Sequence, residues 1–82
     1  MSTGIIDQVR EVVLSALDPE LGTVSDEEEL LLSGLLDSMA VISITSELEK
    51  RFQLEIQAMD ITIENFESIV AMANFLAGQS ND

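Results

Sequence analysis

An 82-residue chain without a single cysteine must hold its fold together by burying side chains. No disulfide and no cysteine-held metal can staple it, and a domain this small buries a modest core and is only marginally stable. Helix packing is left to do the work. Ile5, Ile6, Val9, Val12, Val13 and Ala16 recur at helical spacing and predict an amphipathic helix over 4–17. Thr3 is placed to cap its start. Asp18-Pro19 ends it, because proline disfavours helical geometry at the residue before it. Val41, Ile44, Thr45, Leu48 and Phe52 mark a second long helix over 38–52. Phe66, Ile69, Val70, Ala73, Leu76 and Ala77 mark a last one over 66–77, with Asn65 as N-cap and Gly78 at the stop. A frayed tail is expected over 79–82.

The connections are long and unlike loops in composition. Residues 18–37 carry Asp18, Glu20, Asp26, Glu27, Glu28 and Glu29, yet also Leu21, Val24, Leu30, Leu31, Leu32, Leu35 and Leu36. Such a segment is expected to pack on the bundle. Ser25 followed by Glu28 reads as a capping box, so a short helix is expected over 26–32, broken by Gly34. A connection of this length in so small a domain points to function. Residues 53–65 form a second connection, with one helical turn expected near 58–61. The alternating stretches Leu54-Glu55-Ile56 and Ile61-Thr62-Ile63 also fit strands, but they are too short and isolated to build a sheet. Three helices with long first and second connections suggest a small all-α bundle with a long first loop. One domain spans 1–82, its core within about 4–77.

Charge excludes several partners. The formal net charge is -13, with 16 acidic residues against Arg10, Lys50 and Arg51. Phosphate backbones would be repelled, so no nucleic acid is expected as a ligand, and an anionic membrane surface is disfavoured likewise. The same field favours encounter with basic protein surfaces. Keeping a small apolar chain in solution is an equally good reason for it. No apolar run approaches membrane-spanning length. Met1-Ser2-Thr3-Gly4 lacks the basic start and apolar stretch of a secretory signal, so a cytoplasmic monomer is expected.

Independent catalysis is poorly supported. The chain has no histidine to titrate near neutrality and no cysteine to act as nucleophile. The acidic run 26–29 lacks the glycine and the spaced oxygens of a calcium loop, so no metal site is expected. The informative stretch is Gly34-Leu35-Leu36-Asp37-Ser38-Met39. Asp37 caps the second helix, and Ser38 is a harmless first-turn residue on the plainest reading. On the functional reading, Ser38 offers a hydroxyl at a helix N-terminus, where backbone N–H groups and the dipole favour an attached phosphate. At about 100° per residue, Met39 and Ile42 fall roughly 100–160° from the buried face. Apolar residues exposed beside such a hydroxyl make a candidate partner-binding surface.

At these residues the chain resembles the acyl carrier protein superfamily. Asp37-Ser38-Met39 stands after a long first loop and before a helix ending Glu47-Leu48-Glu49-Lys50-Arg51-Phe52. The stretch from Asp60 to Ile69 looks like the third loop and last-helix start of stand-alone carriers. The resemblance implies that 4′-phosphopantetheine, taken from coenzyme A by a phosphopantetheinyl transferase, is attached covalently at Ser38. It also implies an all-α four-helix bundle, three long helices plus a short third one, and that Met39 and Ile42 face partners. A cysteine-free chain would then do thioester chemistry with a borrowed thiol. The motif looks most like D-alanyl and specialised carriers, which are loaded with an acyl or aminoacyl group by an adenylate-forming ligase. A downstream acyltransferase or synthase then takes the cargo. Ala40 and Ser43 stand where housekeeping fatty-acid carriers place acidic residues. The expected role is therefore a non-catalytic carrier in a specialised biosynthetic pathway. The alternative is a protein-interaction module of the same fold that is never modified.

Overall fold

A computed structural model describes residues 4–17, 20 and 24–79. Four α-helices occur among them: α1 (Ile5–Ala16), α2 (Ser38–Phe52), α3 (Ile63–Phe66) and α4 (Ile69–Gln79). No strand occurs among the described residues, because 54–56 and 61–63 find no partner edge. Helix α1 packs on α4 and α2, and the short α3 packs on α4. Val9, Val12 and Val13 of α1, Ile44 and Leu48 of α2, and Ile69, Met72 and Leu76 of α4 fill the core. Leu30, Leu36 and Ile56 join them from the connections, so both loops belong to the core.

The helix termini follow local chemistry. Gly4 is the N-cap of α1, with no side chain to offer; the capping expected of Thr3 falls outside the described residues. So do Asp18 and Pro19, although α1 does end at Ala16 with Leu17 extended. Asp37 is the N-cap of α2, and its Oδ1 accepts from Ala40 N at 2.8 Å. Helix α2 closes at Gln53, whose positive φ of 54° turns the chain and whose N–H donates to Glu49 O. Lys50 and Arg51 sit in the last turn, where the helix dipole favours cations. The buried Thr45 satisfies its hydroxyl by donating to Val41 O.

The expectation for the first loop fails. The helix foreseen over 26–32 does not form: turns occupy 26–27 and 31–34. Its backbone groups are engaged elsewhere. Asp26 O accepts from Val70 N, and Leu30 N donates to Glu67 O at 2.7 Å. The Ser25–Glu28 pair contributes only a backbone turn, Glu28 N to Ser25 O. Glu29 takes the N–H groups of Leu31, Leu32 and Ser33, which a helix would have directed to the carbonyls four residues back. Arg10 of α1 holds the loop from outside, with Nε and Nη2 on the two carboxylate oxygens of Asp26 at 2.9 and 2.8 Å.

The helix foreseen over 66–77 is split. Phe66 ends α3, the chain bends at Glu67 and Ser68, and α4 starts at Ile69. Asn65 is not its cap. Thr62 Oγ1 accepts from Asn65 N, while Asn65 Nδ2 donates to Asp60 O. Ser68 caps α4 instead, accepting from Ala71 N at 3.0 Å. The break occurs where Glu67 O is taken by the first loop. Gly78 lies inside α4 and does not stop it. Phe66, Ile69, Ala73 and Leu76 of the expected stripe are buried, but Ala77 is exposed and Met72, outside that stripe, is fully buried. The helical turn expected near 58–61 is present as a 3-10 turn over Ala58–Asp60.

Candidate functional site

The chain's most distinctive chemistry gathers at the N-terminus of α2. Asp37 is extended (φ -96°, ψ -177°), the backbone an N-cap requires. It directs Oδ1 over the first turn, and its backbone O accepts from Val41 N. Ser38 is the first residue of the 15-residue helix and is exposed. Its hydroxyl therefore stands in solvent at the positive end of a helix dipole. No acidic residue occupies the first turn. Lys50 and Arg51 lie about 18 Å or more along the axis from Ser38.

A groove of about 510 Å³ opens beside Ser38. Leu31 and Leu36 of the first loop, Val41 and Ile42 of α2, and Ile61 and Ile63 of the second connection and α3 form its apolar wall. Asp37, Ser38 and Thr62 supply the polar atoms, and Phe66 also lines it. A second groove of about 470 Å³ lies between α1 and α2, with Ser15, Ser43 and Glu47 among its lining. Asp37 borders both.

The expected site residues are thus found in two places. Met39 and Ile42 are 70% and 60% exposed, as the helical angles required. Ile42 shares the first groove with Ser38, while Met39 lines the second. Sequence reasoning missed the other apolar residues that stand open to solvent: Leu32, Met59, Ile61 and Ile63. For the last three the signal was an apolar excess in 59–63 that matches no buried stripe. The alternation at 61–63 is the exposed rim of the groove.

The two arginines are structural. Arg10 donates to both Asp26 and Asp7. Those hydrogen bonds raise the guanidinium's pKa above its ordinary value. In return, the Arg10 hydrogen bond holds the Asp26 carboxyl below the usual carboxylate range. Arg51 bridges to Glu11 of α1 at 2.8 Å and to Glu47 at 3.4 Å, and the bond to Glu11 does most to raise its pKa. Both arginines therefore tie helices or loops together. No cluster of three metal-ligating side chains occurs among the described residues, and no helix among them is long and apolar enough to cross a membrane.

Comparison with known proteins agrees with this geometry. A family model described as the phosphopantetheine attachment site matches residues 7–76. The fold is similar to that of the holo acyl carrier protein from Nitrosomonas europaea, with TM-score 0.79 and 24% identity over 98% of this chain and 100% of that one. It is also similar to a structure assigned as an acyl carrier protein from Anaplasma phagocytophilum, with TM-score 0.72 and 28% identity over 95% of this chain and 90% of that one. No curated protein matches the sequence. An all-helical bundle, an exposed serine at a capped helix start, and a family model over nearly the whole described region converge. The chain belongs to the phosphopantetheine-attachment family and is a carrier protein, not an enzyme, with 4′-phosphopantetheine as its covalent prosthetic group.

Proposed function

We infer that Ser38 is the attachment residue and that the described residues act as one carrier domain for an acyl or aminoacyl group. One observation carries this reading: Ser38 is the exposed first residue of a long helix, capped by the Asp37 side chain. The residues present fit the group. A phosphate on Ser38 Oγ would meet the helix dipole with favourable sign, and the surface there is open.

The modification balances simply. Ser38 Oγ forms a bond to the transferred phosphorus, the phosphoanhydride bond of coenzyme A breaks, and adenosine 3′,5′-bisphosphate leaves. The hydroxyl proton passes to a base on the phosphopantetheinyl transferase. The bound arm supplies a thiol, which the cysteine-free chain lacks, to hold cargo as a thioester. The chain's own part is to present and to be recognised. Asp37 sets the start of α2, and Met39 and Ile42 offer apolar contacts on either side of Ser38.

Partner choice follows from the same surface. With no acidic residue in the first turn of α2, recognition beside Ser38 rests on apolar contact more than on charge. That supports a specialised carrier; a cytoplasmic location and a monomeric state belong to the same proposal. An adenylate-forming ligase loads it, and a downstream acyltransferase or synthase discharges it. Intact-mass measurement after incubation with coenzyme A and a transferase of relaxed specificity tests the assignment. The wild-type chain should gain one arm, and Ser38→Ala should gain none while keeping its helical spectrum. Met39→Ala with Ile42→Ala should leave stability within about 0.5 kcal/mol, as exposed sites do, and weaken loading by the cognate ligase. A wild-type chain that stays unmodified with several transferases would sink the assignment.

A further inference from the structure

One side chain, Glu29, takes three consecutive backbone N–H groups of the arch of chain that leads into Ser38. Every backbone N–H from Leu30 to Leu36 has a partner. Leu30 donates to Glu67 O at 2.7 Å, Gly34 to Leu31 O at 3.2 Å, and Leu36 to Leu30 O at 3.0 Å. Leu35 donates to Ser33 Oγ. Leu31, Leu32 and Ser33 all donate to Glu29, at 3.1 and 2.8 Å to Oε2 and at 2.7 Å to Oε1. Bonds to an ionised carboxylate are stronger than neutral ones. Leu30 and Leu36 anchor the two ends in the core. Between them Leu32, Ser33 and Gly34 are exposed, and Gly34 turns the chain at a φ of +84° that glycine adopts without strain.

The anchors fix where the arch begins and ends but not its path. Removing Glu29 returns three consecutive N–H groups to water and admits other paths between the same anchors. Asp37 and Ser38 follow Leu36 directly, so disorder in the arch reaches the first turn of α2 within two residues. Leu31 and Leu36 also line the groove beside Ser38.

We propose that Glu29 is a positioning residue for the modification of Ser38, holding the arch 31–36 in the single conformation a transferase binds. This rests on the assignment of Ser38 as the acceptor. Glu29 takes no part in the proton transfer, since both its oxygens are turned to the arch's N–H groups. If only a fraction of molecules presents the competent arch, apparent affinity falls by that fraction while turnover of the bound complex is kept. The signature is a raised KM for the carrier at unchanged kcat.

The experiment follows arm transfer by intact mass on the full chain, with coenzyme A saturating and the temperature well below melting. Glu29→Ala should raise the carrier KM by about fivefold, with kcat within a factor of two. Glu29→Gln keeps one accepting oxygen and should fall between it and the wild type. Ala73→Gly weakens α4 while removing none of the hydrogen bonds within the arch and serves as the stability control; it should lower Tm without changing KM. An unchanged KM in Glu29→Ala overturns the proposal, and so does an equal rise in Ala73→Gly. If Glu29→Ala fails to fold, Glu29→Gln against Ala73→Gly decides by the same criterion. A wild-type chain that takes no arm would defeat the Ser38 assignment itself, which is a separate outcome.

Discussion

Leu30→Ala should be among the most damaging substitutions in this protein, although Leu30 lies in a loop. The side chain is fully buried, and its backbone is bonded on both sides, N–H to Glu67 O and carbonyl from Leu36 N. The substitution removes three carbons, worth about 2.5 kcal/mol at roughly 0.8 kcal/mol each. The cavity left behind raises the cost into the range of about 2–5 kcal/mol. A chain of this size has a total stability of about 4–12 kcal/mol, so the loss is a large share of it. For small domains, about 3 kcal/mol corresponds to a Tm decrease of roughly 12–24 °C. The internal control is Leu32→Ala, two residues along the same loop and 76% exposed; it should cost less than about 0.5 kcal/mol. Urea unfolding followed by far-UV circular dichroism measures both. A cost below about 1 kcal/mol for Leu30→Ala, or equal costs for the two variants, would refute the claim that the first loop is part of the core.

Two further outcomes follow from the hydrogen bonds. Asp37→Ala removes the cap on Ala40 N and should cost about 1 kcal/mol, whereas Asp37→Asn keeps an accepting oxygen and should lose only a few tenths; comparable Tm losses in the two would show that the cap bond is not what matters. Because Arg10 depresses the folded pKa of Asp26, the ion pair stabilises above the ordinary carboxylate range and is lost as pH falls through the depressed value. The difference in urea midpoint between wild type and Asp26→Asn should therefore hold steady near neutrality and close below about pH 4, and a gap persisting in strong acid would contradict the role given to this pair.

The helices with local signals were legible residue by residue. Apolar spacing and the Asp37 cap defined α2 over Ser38–Phe52, and the same spacing defined α1. Exposure of Met39 and Ile42 followed from the angle per residue alone. The misreadings fall where two distant segments meet. Ser25 and Glu28 have the spacing of a capping box, but Asp26 and Leu30 give their backbone groups to Val70 and Glu67. The same bond removes Glu67 O from any continuous helix running from Phe66 into α4. Asn65 looked like an N-cap because the chain's break two residues later is set by a partner nearly forty residues away. The groove beside Ser38 was hidden for the same reason, since Leu31, Ile42 and Ile63 meet there from three segments.

What the chain alone determined was the class of the molecule: apolar residues at helical spacing, a carboxylate one residue before a serine, and no cysteine or histidine. These are local facts, and the physics that reads them acts within one turn of helix. What only the folded protein decided was the shape of the two connections and the walls around Ser38. There backbone N–H and C=O groups chose partners from across the bundle over those next to them in sequence. Such choices depend on which surfaces α1, α2 and α4 bring together, and no spacing rule along one segment contains that information.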